Sequence, residues 1–502
     1  MRRKFSKFLE NSLIVKKSKL LFKNGEDWTE EILERAWKEI EVVAKELRIS
    51  YYPPQFEIIS AEQMLDVYTS VGMPVFYKHW SFGKQAVQEQ KAYEEGKMHL
   101  AYELVINCNP CIGFLMEQNS ALMQTLVMAH ALCGHSAVFK NNIYFKQNTD
   151  AEGIIDYLNF AKEYIAKCEE KYGEDAVEEV LDACHALSTF GVDKYRRKPK
   201  RLIEEKEKEE AWKNFDILLH ALVPPEPEHS KKEEVFEPQE NVLYFIEKNS
   251  PYLAPWKKEI VRITRKIAQY FYPQGLTQVV NEGYATFTHQ YILNRLWEKG
   301  LLDAGSMMEF MASHAGVLRQ HQFYQFNPYR LGLKIFEDIR RICTNPTAED
   351  KELFPNLIGK DWVEEINYAM INFNNETFLL QYLSPTVARE FGMFSLESNS
   401  EAGESVVLDI ADLSHFRSLR EKLARSYSYS YRVPSIEVVG VDWKGNRTLT
   451  LKHNFSKEEG RSLGRNDAAQ VVGYLQKLWG FPVKLLSCNE QGEPLTFTST
   501  FF

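Results

Sequence analysis

Residues 28–47 read WTEEILERAWKEIEVVAKEL, and this stretch shows the pattern on which most of the chain is built. Its apolar residues recur every three or four positions with charged residues between them, which predicts an amphipathic α-helix. The apolar positions are Trp28, Ile32, Leu33, Ala36, Ile40, Val43 and Leu47. The pair Pro53-Pro54 is expected to stop this helix, because proline lacks the amide hydrogen that a helix interior needs.

The same helical periodicity returns along the chain, so we expect a mainly α-helical protein. Ser60 followed by Gln63 is a capping-box pattern, and it predicts a second helix that reaches about Ser70. Few alternating β-branched runs occur before residue 390. The further helical stretches are residues 113–132, 152–171, 174–189, 257–272, 278–298, 306–318 and 328–343.

The pattern changes near residue 396, where short alternating runs indicate β-strands. Asp442–Asn446 has the composition of a turn between two of them, and Arg465–Leu478 again has helical spacing. The predicted strands are Ser405–Ile410, Ser435–Val441, Thr448–Leu451, Val483–Ser487 and Leu495–Thr498. The fold class expected is therefore mainly α, with a large helical core domain followed by a small C-terminal α+β domain.

Composition divides the chain further. Residues 196–240 are rich in charge and proline, so we expect an excursion from the helical core there. The predicted organisation is a basic tail (1–27), two blocks of helical core (28–195 and 241–395), this excursion between them, and the C-terminal domain (396–502).

The overall composition is that of an ordinary globular protein. The chain has 502 residues, of which 44% are hydrophobic and 26% charged, and its formal net charge is −9. That charge gives no general reason to bind nucleic acid. The seven cysteines are odd in number and scattered, which favours a reducing compartment. Without a signal peptide or a run of about 18 apolar residues, we expect a cytoplasmic protein with no stable membrane insertion.

Two sequence motifs carry residues that can ligate a metal. His130 and His135 lie in one apolar helical stretch, and Glu282 and His289 lie in another. On an ideal helix the i to i+5 spacing of the two histidines rotates their side chains about 140° apart. They converge only if Gly134 ends the helix or if a π-bulge lies there. His130, His135 and Glu282 are then a candidate site for zinc, or for iron or manganese, with His289 as a fourth ligand or an outer partner.

A thiol nucleophile is the second chemistry that these motifs allow. Cys111 follows Pro110 and is expected at the start of the helix that leads to His130, where the helix dipole favours a thiolate. Glu103 or Asn107 then orients the histidine that acts as its base. The candidate catalytic residues are Cys111, Glu103 and His289.

Other interpretations of the same residues stay open. The histidines can be core residues that are hydrogen-bonded to buried carboxylates, and the cysteines can be inert core residues. Cys108 and Cys111 also have the spacing of a redox pair, although no second such pair occurs. The chain has no phosphate-loop motif, no strand-linked GxGxxG and no GxSxG, so no residue is assigned to an organic cofactor.

Long colinear blocks of the sequence resemble the stage V sporulation protein R family. They extend from about residue 30 to 395, and residues 396–502 resemble that family's C-terminal domain. The blocks are YYPPQFEIISAEQMLDVYTSVGMPVFYKHWSFGK (51–84), MHLAYELVINCNPC (98–111), HALCGHSAVFKNNIYF (130–145), LDACHALSTFGVDKY (181–195), NEGYATFTH (281–289) and NPYRLGLKIFEDIRRI (327–342).

The resemblance implies a bacterial cytoplasmic protein that is linked, in spore formers, to assembly of the spore cortex. It also implies a PrkA-type serine kinase and a small co-encoded protein as partners, and members in bacteria that do not sporulate. Cys111, His130, His135, Glu282 and His289 match the family motifs.

The chain departs from the usual family pattern in a few positions. It has Cys108 where the family has serine, Ser136 with Ala137 in place of Asn-Ser, and Tyr284 in place of tryptophan. Cys108 therefore resembles a local substitution, which weakens the redox interpretation.

We expect a sporulation or stress-response protein. Its polar site would perform metal-assisted hydrolysis or thiol acyl transfer (transpeptidase-like) on a peptide-like bond. The alternative is a non-catalytic scaffold that docks the kinase and the partner through residues 195–240 and the C-terminal domain.

Overall fold

The computed structural model describes residues 19–69, 73, 75–80, 103–194, 238–320, 326–393, 395–399, 404–408, 413–455, 462–488 and 494–499. This part of the chain is mainly helical with a small sheet towards the C-terminus, which confirms the predicted fold class. Almost all of the predicted excursion 196–240 lies outside the described residues. So do the first 18 residues of the predicted tail, whereas Leu21 and Phe22 of that tail are buried in the core.

The first half of the described chain combines helices with three short strands. Its strands are β1 (Pro54–Ile59), β2 (Glu103–Ile106) and β3 (Cys111–Met116). Its α-helices are α1 (Glu30–Glu46), α2 (Ala61–Thr69), α3 (Ala121–Val127), α4 (Ser136–Asn141), α5 (Ile143–Asn148), α6 (Ile154–Tyr172) and α7 (Glu174–Ala186). A π-helical segment (Met128–His135) joins α3 to α4, and a 3₁₀ turn spans Ser188–Phe190.

The second half is helical up to Glu390 and then mixed. Its α-helices are α8 (Val242–Asn249), α9 (Pro255–Glu298), α10 (Ala304–Val317), α11 (Pro328–Thr344), α12 (Ala348–Leu353), α13 (Trp362–Asn372), α14 (Asn375–Tyr382), α15 (Pro385–Glu390), α16 (Leu413–Ser426), α17 (Tyr429–Arg432) and α18 (Arg465–Trp479). Its strands are β4 (Ser395–Asn399), β5 (Glu404–Leu408), β6 (Ser435–Val441), β7 (Leu449–Asn454), β8 (Val483–Cys488) and β9 (Pro494–Thr498).

Helix α9 connects the two hydrophobic clusters of the molecule. Its first half packs in one cluster with α6, α7, α8 and the C-terminal sheet, and its second half packs in the other with the π-helical segment, α1 and α11. The sequence predicts two helices here, 257–272 and 278–298, whereas the structure has one helix of 44 residues that continues through Pro273.

The helix predicted over residues 113–132 is wrong in its first part. Cys111–Met116 is strand β3, the centre of a three-stranded sheet in which β1 runs parallel and β2 antiparallel to it. Five of its six residues are buried. A strand that is buried on both faces loses the alternation that identifies strands, so its apolar run resembles a helix in sequence.

Local sequence rules account for the start of α2. The Ser60 amide donates to Gln63 Oε1 at 2.9 Å, and the Gln63 amide donates to Ser60 Oγ at 3.2 Å. These two bonds form the predicted capping box, which satisfies amide groups that the first helical turn leaves without partners.

The C-terminal sheet has the strand order β6-β7-β8-β9, and α18 packs against it. Strands β7 and β8 are parallel, because α18 forms the crossover between them, while the other two pairs are antiparallel. Phe416 of α16 is buried in the cluster of the helical core rather than against this sheet. The packing therefore favours a unit boundary after α17, although the boundary predicted at residue 396 stays a prediction.

One helical stretch, Ala121–Asn141, is long and apolar enough to cross a membrane by length and composition. Of its most apolar window, 94% is buried inside the protein, as in the core helix of a folded domain.

Candidate metal site

The π-helical segment explains how His130 and His135, five residues apart, come to face the same site. Its backbone hydrogen bonds link residues five apart, so positions i and i+5 lie on the same face. His130 and His135 are five apart, and their ring centroids lie 4.6 Å from each other. Of the two routes to convergence expected from the sequence, the structure shows the π-bulge, and the helix continues past Gly134 into α4.

Gly134 has a different function from the one expected, because it lets α9 approach the π-helical segment closely. A Cβ atom at this position would lie 2.5 Å from the Ala285 Cα atom and 2.7 Å from its Cβ. The close approach brings Glu282 and His289, which lie one turn on either side of Ala285, to the two histidines. Gly283 packs against Gly332 of α11 in the same way on another face of α9.

Three potential ligand atoms converge between these helices. His130, His135 and Glu282 each offer one ligand atom, and these three atoms lie within 4.8 Å of one another. His130 Nε2 lies 3.9 Å from Glu282 Oε2, and His135 Nε2 lies 3.5 Å from the same oxygen. Tetrahedral zinc with bonds of about 2.0–2.1 Å separates its ligand atoms by about 3.3 Å, so the spacing suits such an ion.

Outer partners bind the second ring nitrogen of both histidines. His135 Nδ1 is 2.9 Å from Asn281 Oδ1, which can only accept, so Nδ1 carries the proton and Nε2 presents its lone pair to the site. His130 Nδ1 is 2.7 Å from His289 Nδ1. This arrangement, in which an outer group fixes the tautomer of a ligand histidine, is usual in metalloproteins.

His289 continues the chain of imidazoles away from the site. Its Nε2 lies 3.0 Å from Nδ1 of His314, which is half-buried on α10. No sequence pattern points to His314, because α10 reaches His289 only through tertiary packing. His289 itself is predicted as a fourth ligand, an outer partner or a catalytic residue, and its contact with His130 favours the role of outer partner.

Burial determines the protonation of the site. His130, His135 and His289 are 3%, 5% and 3% exposed, and the Glu282 side chain is 17% exposed. Burial, reinforced by the neighbouring histidines, holds the pKa of His130 and of His289 well below the usual value. Burial also raises the pKa of Glu282, while His135 and a hydrogen bond with Tyr329 oppose that shift.

Glu282 Oε2 is a buried carboxylate oxygen that faces His130 and His135. It is buried, and no described residue hydrogen-bonds to it. A buried carboxylate oxygen without a partner is costly unless it binds an ion. The residues present therefore fit a divalent metal, and their role as ligands stays a prediction.

Cys111 does not lie where the sequence places it. It opens strand β3 rather than a helix, so no helix dipole acts on its thiol. The thiol is buried, Sγ donates to the Ile106 carbonyl oxygen at 3.3 Å, and burial raises its pKa to about 12. These surroundings are typical of an inert thiol.

Glu103 and Cys108 belong to the same sheet region as Cys111, but Glu103 lies towards the opposite end of β3 from Cys111. Glu103 begins β2 and pairs with Leu115, but its side chain lies outside the described part. Cys108 is buried, its Sγ donates to the Pro110 carbonyl oxygen at 2.9 Å, and burial raises its pKa. Their catalytic and redox roles stay predictions.

Comparison with known proteins gives a consistent result over nearly the whole chain. Residues 27–432 match the family model described as SpoVR like protein, and residues 434–490 match that of the SpoVR-like C-terminal domain. A curated protein of Escherichia coli strain K12, named "Uncharacterized protein YcgB", is 44% identical over 483 residues. The alignment covers 93% of this chain and 94% of that protein. No solved structure matches the chain.

Proposed function

Because the chain belongs to the SpoVR-like family, we propose that it is a cytoplasmic protein of spore cortex formation or stress response whose His130, His135 and Glu282 hold a catalytic divalent metal. The proposed reaction is hydrolysis of a peptide-like bond. The observation that carries the proposal is the convergence of two Nε2 atoms and one carboxylate oxygen that lacks a hydrogen bond.

The number of ligands supports a catalytic rather than a structural site. Structural zinc sites have four protein ligands, whereas catalytic sites have three, often two histidines and one glutamate, and leave one position for water or substrate. When bound, the metal ion would supply Lewis-acid activation of that water. Zinc, iron and manganese all accept this mixed nitrogen and oxygen ligand set.

The residues around the ligands orient them. Tyr329 hydrogen-bonds to Glu282 and helps to fix its carboxylate. Zinc peptidases place a glutamate directly after the first histidine, but this chain has Ala131 there. His289 and His314 are instead the titratable side chains that continue from His130 away from the ligands.

Metal analysis of the purified full-length protein tests the proposal. We expect about one equivalent of zinc, iron or manganese in the protein prepared without a histidine tag, and its loss in His130→Ala and His135→Ala. His415→Ala, a histidine outside the site, is the matched control and should retain the metal. A metal-free wild type that also fails to take up these ions after dialysis against them would refute the proposal.

Docking of partner proteins is a second candidate function, and the outer face of α10 favours it. Met308 and Met311 are 72% and 63% exposed. The exposed face continues through Ala304 and Ala315, so an apolar strip follows the helix. Exposed apolar patches of this kind mark protein contacts. The partner proposed, from the family resemblance, is the PrkA-type serine kinase or the small co-encoded protein.

A binding assay with these two proteins separates the two functions. Met308→Glu with Met311→Glu should abolish capture of the partner and leave the metal content unchanged, because both side chains point away from the site. Val42→Glu, at a 48% exposed position on α1, is the control. Equal capture by the double variant and the control would exclude this face as the docking surface.

A further inference from the structure

A cavity of about 650 Å³ lies where the helical core meets the C-terminal sheet. One wall comes from the helical core, with Glu376 of α14 and Arg425 of α16. The facing wall comes from the sheet, with Lys452 and His453 of β7 and Ser487 of β8. None of the lining residues belongs to the histidine site. Its volume is within the range of about 300–1,000 Å³ that is typical of small-molecule sites.

Positive charge predominates in this cavity. Arg425 and Lys452 both line it, and within the described part of the chain neither forms an ion pair within 4.0 Å. Glu376 is the one acidic residue among the described lining residues; burial raises its pKa, and the nearby Arg425 guanidinium opposes that shift. Two cations against one carboxylate leave a net positive charge in the cleft, and this charge attracts an anionic ligand.

Residues with hydroxyl groups line the same cavity. Ser428, Ser430, Tyr431 and Ser487 all line the cavity. Behind them, the buried His453 ring places Nδ1 2.9 Å from Ser487 Oγ and so fixes that hydroxyl. Guanidinium, ammonium and hydroxyl donors together are the groups that bind the oxygens of a phosphate.

The cavity also has an apolar part. Phe455 and Leu486 line it together with the ring of Tyr431, and the whole volume is much larger than a bare phosphate needs. We propose that this cavity binds an organic phosphate monoester, with the phosphoryl group held by Arg425 and Lys452 and the organic part against Tyr431, Phe455 and Leu486. This site is independent of the proposed metal site.

Calorimetric titration of the full-length protein with phenyl phosphate and with inorganic phosphate tests the proposal. We expect saturable 1:1 binding of phenyl phosphate that is at least several-fold tighter than that of inorganic phosphate, because only the former has an organic part. Arg425→Ala and Lys452→Ala should each weaken it about 10-fold or more, since each removes hydrogen bonds to a charged group. Binding should also weaken as salt is added.

Two matched variants control for charge and fold. The control variants are Arg417→Ala and Lys484→Ala. Arg417 lies on the same helix as Arg425, and Lys484 lies on β8, the strand beside Lys452. Neither residue lines the cavity. Both should bind phenyl phosphate like the wild type.

No binding at 20 mM phenyl phosphate, or equal binding by all four variants, would overturn the proposal. Equal affinity for both probes would refute the role of the apolar wall. Binding of a phosphoserine peptide without binding of phenyl phosphate would point instead to a protein partner.

Discussion

His130 and His135 use their ring nitrogens in the same way. Each directs Nδ1 to an outer partner and presents Nε2 to Glu282, so the orientation of both rings is set before any ion binds. The two outer partners constrain the histidine tautomers to different degrees. Asn281 Oδ1 can only accept a hydrogen bond, whereas a ring nitrogen of His289 can accept or donate one. Asn281 therefore fixes the tautomer of His135 more firmly than His289 fixes that of His130.

This difference predicts the effect of replacing Asn281. Asn281→Ala should weaken zinc affinity about 10- to 100-fold without removing a ligand, because His135 loses the acceptor that orients it. Asn281→Asp keeps an acceptor oxygen and should restore most of the affinity. Zinc affinity measured by competition with a chelating dye, with Asn294→Ala as the control on the same helix, checks this. An unchanged affinity in the alanine variant would show that the hydrogen bond does not position His135.

Cys111 provides a pH-dependent prediction. With a pKa of about 12, the folded protein has only about one thiolate in a thousand at pH 9, and this fraction rises tenfold with each further pH unit. We therefore expect no labelling of Cys111 by iodoacetamide between pH 7 and 9 in the native protein, and rapid labelling at pH 9 after denaturation. Peptide mapping by mass spectrometry gives the result for each cysteine. Rapid native labelling near pH 7 would instead support Cys111 as a nucleophile.

At the scale of elements, the site depends on how closely the π-helical segment and α9 approach each other. Gly134 permits this contact, because any side chain there would meet the backbone of Ala285. The π-bulge and the glycine therefore act together: the first turns both histidines to one face, and the second brings the helix that carries Glu282 to that face.

Gly134→Ala should for this reason lower both stability and metal binding. Overpacking against a backbone atom that cannot move aside costs about 1–3 kcal/mol, and the displaced α9 takes Glu282 away from the histidines. Gly275→Ala is the control, because a Cβ atom there meets nothing within 4 Å and alanine favours a helix by up to about 1 kcal/mol. Urea denaturation and metal analysis of both variants measure the two effects. Equal stability of the two variants would contradict the packing argument.

At the scale of the whole molecule, periodicity predicted the fold class, many of the longer helices and the C-terminal strands, but not the site. Ser435–Val441 has the predicted bounds, and α18 differs from its prediction by one residue, because buried positions alternate with more accessible ones in both. Strand β3 escaped prediction because it is buried on both sides. His130 and His135 converge because the backbone hydrogen bonds of the π-helical segment join residues i and i+5, and the spacing of apolar side chains does not reveal such bonds. The contact between His289 and His314 arises only in the folded molecule.

The C-terminal sheet is joined to the helical core through a shared cluster. Trp479 of α18 is fully buried and stacks on Phe245 of α8, with ring centroids 6.0 Å apart. Ser250 Oγ donates to the Leu478 carbonyl oxygen at 3.0 Å, and the Gln239 amide donates to the Val438 carbonyl oxygen at 2.9 Å. The two units thus complete each other's apolar surface, which favours unfolding as one cooperative body.

Trp479→Ala tests this cooperativity. The substitution removes a buried indole and should cost about 3–5 kcal/mol. Because the cluster is shared, we expect a single calorimetric transition that shifts as a whole, together with faster hydrogen exchange in α7 and α8 as well as in the sheet. Trp443→Ala, at a 51% exposed position of the same unit, should shift the transition much less. If Trp479→Ala splits the transition and leaves exchange in α7 and α8 unchanged, the sheet is an independent unit and the shared cluster contributes little to the helical core.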